Sequence, residues 1–157
     1  MNLGDDLYRE IILDNYKSTR NRRVLESPAF SQEGVNPSCG DDIELYLKSD
    51  GEEITDASFE GVGCSICIAS ANMLCNAIKG MKVDEAEALV ERVKGMLTRD
   101  ETPEFPDGAE DLEAIQGVAK YPVRIKCALL SWNTLHQLLD EVRSSTRAAD
   151  VNQGKGT

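Results

Sequence analysis

The chain has 157 residues, 41% of them apolar and 29% charged, a composition and length that suit one folded domain. Seventeen basic against 28 acidic residues leave a net charge of −11, which argues against nucleic acid as a partner, because phosphate binding runs on clustered positive charge. No stretch approaches the ~20 apolar residues needed to cross a bilayer.

The acidic start Met1-Asn2-Leu3-Gly4-Asp5-Asp6 lacks the basic-then-apolar order of a signal peptide, so a cytoplasmic protein is expected. Five cysteines, an odd number in a reducing compartment, read as thiols or metal ligands rather than disulfides. The acidic surface serves solubility and equally suits a partner with a basic docking patch.

Leu3, Leu7, Ile11 and Ile12, with Tyr8 and Tyr16, recur at helical spacing and predict an amphipathic helix over about residues 4–18. Lys17, Arg20, Arg22 and Arg23 follow it, where cations complement a helix C-terminus or present a docking surface. Residues 28–41, with two prolines and two glycines, read as a loop delivering Cys39 and Asp41. Ile43, Leu45 and Leu47 alternate as in a half-buried strand, Asp50-Gly51 signals a hairpin, and a second strand from Ile54 to Val62 returns with Ala57 and Phe59 inward. One end of this hairpin carries Cys39 and Asp41, the other Cys64.

Ser65 is the expected cap of a helix running to about Lys79, with Gly80 past its end and Cys67, Ala71, Leu74, Cys75 and Ile78 on its apolar face. Cys64 sits just ahead of that helix, where free N–H groups favour a thiolate. Asp84 with Glu87 three positions on opens another helix to about Leu97, with Ala86, Leu89, Val90, Val93 and Leu97 on one face. Residues 98–109 are acidic and proline-containing loop, and Asp111–Val118 suits a short helix with Leu112 and Ile115 inward. Pro122 fits the first turn of a last helix to about Arg143, with Ile125, Leu129, Trp132 and Leu139 on its apolar side. A single domain over residues 1–143 and a disordered tail over 144–157 are expected.

Three cysteines and a carboxylate, Cys39, Asp41, Cys64 and Cys127, suit four ligands to one cation, and that donor set points first to zinc. Cys39, between Pro37 and Gly40 in a polar loop, and Cys64, between Gly63 and Ser65, do not read as core residues; Cys127, beside Ala128 and Leu129, suits the core equally well. Cys64-x-x-Cys67 offers a fourth thiolate in place of Asp41, although Cys67 and Cys75 share the apolar face of their helix. His136 stands nine residues beyond Cys127, about 2.5 turns and roughly 13 Å along a helix, which excludes a Cys-His pair. Arg124 shares a helix face with Cys127 and would offset the negative charge of such a site, while Lys126 points about 100° away.

The segments Asn36-Pro37-Ser38-Cys39-Gly40-Asp41, Gly61-Val62-Gly63-Cys64-Ser65-Ile66 and Arg124-Ile125-Lys126-Cys127-Ala128-Leu129-Leu130-Ser131-Trp132 closely resemble the SufU-type branch of the IscU/NifU-like iron–sulfur assembly proteins, over about residues 5–143. The resemblance implies an α+β fold, a small three-stranded antiparallel sheet with helices packed on it, and an additional strand near Val24–Phe30. It implies Cys39, Asp41, Cys64 and Cys127 as zinc ligands, Cys39 as sulfur acceptor and Arg124 as a basic residue acting near the site. Scaffold-type relatives carry a histidine where Lys126 stands and a tandem-proline chaperone motif absent from Tyr121–Lys126, and the long segment 98–118 is typical of the SufU branch. A zinc-dependent sulfur carrier is therefore expected, a sulfurtransferase that accepts persulfide sulfur as co-substrate and activator of a SufS-type PLP-dependent cysteine desulfurase, with a downstream iron–sulfur scaffold. The alternative is a scaffold on which a transient [2Fe-2S] cluster is assembled and transferred.

Overall fold

The computed structural model describes residues 3–26 and 29–155, with side chains over 6–26 and 29–145. The elements run α1 (Leu3–Lys17), β1 (Phe30–Asn36), β2 (Asp41–Ser49), β3 (Ile54–Val62), α2 (Ser65–Ile78), α3 (Val83–Thr98), a 3₁₀ helix (Glu110–Lys120) and α4 (Pro122–Lys155). The three strands form one antiparallel sheet in the order β1-β2-β3, the expected α+β architecture.

Strand β2 decides which side of the sheet is covered. Its period of two places Asp41, Ile43, Leu45 and Leu47 in one buried row, and Ala57 and Phe59 of β3 join them. Helices α2 and α4 press on that side, with α1 against α2 and α3 against α4. Cys67, Ala71, Leu74, Cys75 and Ile78 of α2 meet Trp132, Leu135 and Leu139 of α4 in the common core. Behind it, Ser70 Oγ donates to the Ala128 carbonyl at 2.7 Å and accepts from Trp132 Nε1 at 2.9 Å, locking α2 to α4 through a buried polar pair.

Strand β1 lies at Phe30–Asn36, within the segment read as loop and beyond most of the expected Val24–Phe30 strand. Ser27 and Pro28 of that expected strand lie outside the described residues, as do Met1, Asn2, Gly156 and Thr157. Few apolar residues mark β1; its existence rests on pairing with β2 from Phe30↔Leu47 to Asn36↔Asp41 and on close approach of α4 at Gly34, where a Cβ would collide with Thr134 Oγ1. The basic segment after α1 runs along the free edge of β3: the Phe59 N–H donates to the Asn21 carbonyl, the Arg23 N–H to the Phe59 carbonyl, and Arg23 clasps both oxygens of Asp56 at 2.9 and 3.1 Å. Neither a helix-end role nor a free docking surface describes Arg23.

Two helix starts also differ from expectation. The N-cap of α2 is Cys64, not Ser65, and its side chain makes no capping bond. The N-cap of α3 is Lys82, whose N–H donates to Glu85 Oε1 at 3.0 Å, so Glu85 closes the first turn and Glu87 is left to pair with Arg143 of α4. On α1, Ile11 and Ile12 lean on the core, while Leu7 stays exposed and the buried position is Asn15. Helix α4 continues past Arg143 to Lys155, over a polar stretch that holds no proline.

Candidate metal centre

Three chain segments bring their functional side chains to one end of the sheet. The turn between β1 and β2 delivers Cys39; it is held by the Cys39 N–H donating to the Asn36 carbonyl at 3.3 Å, and Gly40 takes a left-handed φ of 70°. Asp41 opens β2 in the inward row and is fully buried. Helix α4 supplies Cys127, also fully buried, from its second turn. One sulfur or oxygen atom from each of Cys39, Asp41 and Cys127 lies within 4.8 Å of the others.

Cys64 stands at the rim of this group. Its extended backbone (φ −69°, ψ 166°) follows the end of β3, and its N–H donates to Asp41 Oδ1 at 2.9 Å. Cys64 lies outside the mutual 4.8 Å set, yet its sulfur interacts with both Cys127 and Arg124. Arg124 is the cation of the site: the charge of Cys64 and a hydrogen bond to it raise the guanidinium pKa, with smaller contributions from Cys127 and Cys39.

Burial pushes the Cys127 thiol pKa far up, and hydrogen bonding to Cys39, Asp41 and Cys64 pushes it further. Two thiols with a carboxylate at this spacing match zinc chemistry, in which Zn–S is ~2.3 Å. The residues fit a divalent cation.

Cys67 does not join them. It lies outside the mutual set and faces the core from α2, where burial first, then the charges of Asp41, Cys64 and Cys39, raise its pKa to about 12; burial does the same to Cys75, also to about 12. His136 belongs to a separate group with Glu87 and Asp140, in which Arg143 already holds Glu87, an ordinary ion network between α3 and α4.

One residue of the site escaped the sequence reading. Asn36 Nδ2 donates to Asp41 Oδ2 at 3.3 Å and to Cys127 Sγ at 3.6 Å, and the residue is buried. An asparagine before Pro-Ser-Cys-Gly reads as a turn residue, and its place opposite Asp41 becomes visible only once β1 has paired with β2.

Residues 7–128, which include all four candidate ligands, match the NifU-like N terminal domain. This chain belongs to that family. The NifU-like chain is 44% identical over 135 residues to the zinc-dependent sulfurtransferase SufU of Bacillus subtilis, covering 85% of this chain and 89% of that protein. It is 38% identical over 137 residues to the iron-sulfur cluster assembly scaffold protein IscU of Thermotoga maritima, covering 87% and 94%. Its fold matches the crystal structure of an iron-sulfur cluster assembly scaffold protein for the SUF system from Fervidobacterium islandicum with a TM-score of 0.76 at 35% identity, over 83% of this chain and 94% of that one. Among the described residues of the NifU-like chain no helix is long and apolar enough to cross a membrane.

Proposed function

We propose that this NifU-like chain is a zinc-dependent sulfur carrier of the cytoplasm, accepting persulfide sulfur from a SufS-type PLP-dependent cysteine desulfurase for iron–sulfur cluster assembly. The observation that carries the reading is the convergence of Cys39, Asp41 and Cys127, with Cys64 and Arg124 at the rim. The relative named a zinc-dependent sulfurtransferase supports it. Zinc held by Cys39, Asp41, Cys64 and Cys127 would keep the thiols deprotonated at neutral pH.

Cys39 is the sulfur acceptor in this scheme. It rides on a turn and is half-buried, whereas Asp41 and Cys127 are sealed in. Its thiolate attacks the terminal sulfur of the desulfurase persulfide: a new S–S bond forms on Cys39, the donor's S–S bond breaks, and the electron pair leaves on the donor's cysteine thiolate. Arg124 steadies the negative charge on the persulfide now carried by Cys39. Exposed Val35, Val62, Tyr121 and Val123 flank the three ligand segments and offer apolar contact to a protein donor.

Stimulation of desulfurase turnover by Cys39→Ser tests the role. Loss of stimulation with the fold intact is expected; undiminished stimulation would remove Cys39 as acceptor. The relative named a scaffold favours a second reading, in which the same thiolates hold iron. Anaerobic reconstitution separates the two, because a scaffold becomes coloured and passes its cluster to an apo-protein, whereas a carrier stays colourless with zinc bound.

A further inference from the structure

Asn36 and Asp41 form the last pair of the β1–β2 ladder, directly below the turn that bears Cys39. The two amide hydrogens of Asn36 have two acceptors, Asp41 Oδ2 and Cys127 Sγ, so one neutral group ties the sheet ligand to the α4 ligand. The second Asp41 oxygen is fixed from the other side by the Cys64 N–H at 2.9 Å. The carboxylate is thus oriented at both oxygens. A neutral amide orients both groups without a positive charge that would compete with a bound cation.

We propose that Asn36 is a positioning residue of the metal centre, whose carboxamide holds Asp41 and Cys127 as a fixed pair of ligands, while Cys39 is tied to Asn36 only through the backbone of its turn. The inference rests on the zinc reading above. It divides the centre into a permanent part, clamped by Asn36, and a releasable part, the sulfur acceptor. Sulfur transfer then proceeds without loss of the cation, because the ligands that remain are held by an amide outside the metal's own ligand set.

The test compares zinc-loaded full-length protein with Asn36→Leu, similar in volume but without an N–H, and with Asn36→Ala, circular dichroism confirming the fold of each. Zinc affinity is read by competition with a chromophoric chelator, and the thiolate-to-cobalt absorption band of cobalt-substituted protein reports ligand geometry. Both variants are expected to bind zinc about 10–100-fold more weakly and to shift the cobalt band. A loss is still expected when Asn36→Leu is made on a Cys39→Ser background, since the Asn36 side chain contacts the other two ligands. Unchanged affinity and an unshifted band in a folded variant would overturn the proposal, as would a loss that vanishes on the Cys39→Ser background. A wild-type chain that takes up no zinc would instead sink the metal reading, and this inference with it.

Discussion

Gly63 is the tightest point at the centre. A Cβ there would stand 2.8 Å from Asp41 Oδ1 and 3.2 Å from Cys67 Sγ, one in the site and the other in the core behind it. Gly63→Ala therefore has to displace the carboxylate, at a cost of about 1–3 kcal/mol for overpacking, and zinc per chain by elemental analysis is expected to fall while the far-ultraviolet spectrum is kept. At this scale the cysteines were legible because Cys39 and Cys64 sit among turn residues where a small apolar side chain has nothing to pack on. Asp41 was legible through its place in the motif. The work of Asn36 was not, because it depends on a helix more than ninety positions away reaching the same spot.

Among the elements, the β2–β3 hairpin was readable because β2 alternates and the turn chemistry is explicit, and α2 to α4 because their apolar faces are wide. Strand β1 was hidden: Ser31, Gln32 and Glu33 carry no strand signal, and only the partner strand and the pressure of α4 make the segment extended. The contacts that join elements suggest two measurements. Ser70→Ala leaves the buried Trp132 indole N–H without its partner and removes a second bond to the Ala128 carbonyl, and denaturant unfolding is expected to show a loss of about 1–3 kcal/mol. The Arg23–Asp56 pair predicts a pH dependence. Burial raises the Asp56 pKa, but the Arg23 hydrogen bond, the Ala57 N–H and the Arg23 charge outweigh it and leave the carboxyl below its ordinary value. A lowered carboxylate pKa stabilises the fold above the unfolded value of 3.8 and loses that contribution as pH falls through the folded value. Wild type minus Arg23→Ala should thus differ by at most about 1 kcal/mol at neutral pH, with the gap closing in acid below the unfolded pKa.

For the whole molecule, the core includes Cys127 but extends well beyond the centre. Leu45, Phe59, Leu74 and Trp132 are fully buried without help from a cation, so the fold is expected to survive chelation, unlike a small domain held together by its metal. Free zinc at a hundred times its dissociation constant is expected to add about 2.7 kcal/mol, read as a concentration-dependent rise in melting temperature; collapse of the fold on chelation would point to a structural zinc instead. The closeness of Cys39 to Cys127 has a cost when that cation is withdrawn in air. Neighbouring sulfurs would then surrender two electrons to oxygen or peroxide and close into a disulfide, stapling the β1–β2 turn to α4 and blocking the proposed acceptor. Intact-mass spectra of aerated, metal-stripped protein should show a species lighter by two hydrogens that a dithiol restores, and on the proposed zinc reading a bound ion would double as an antioxidant guard.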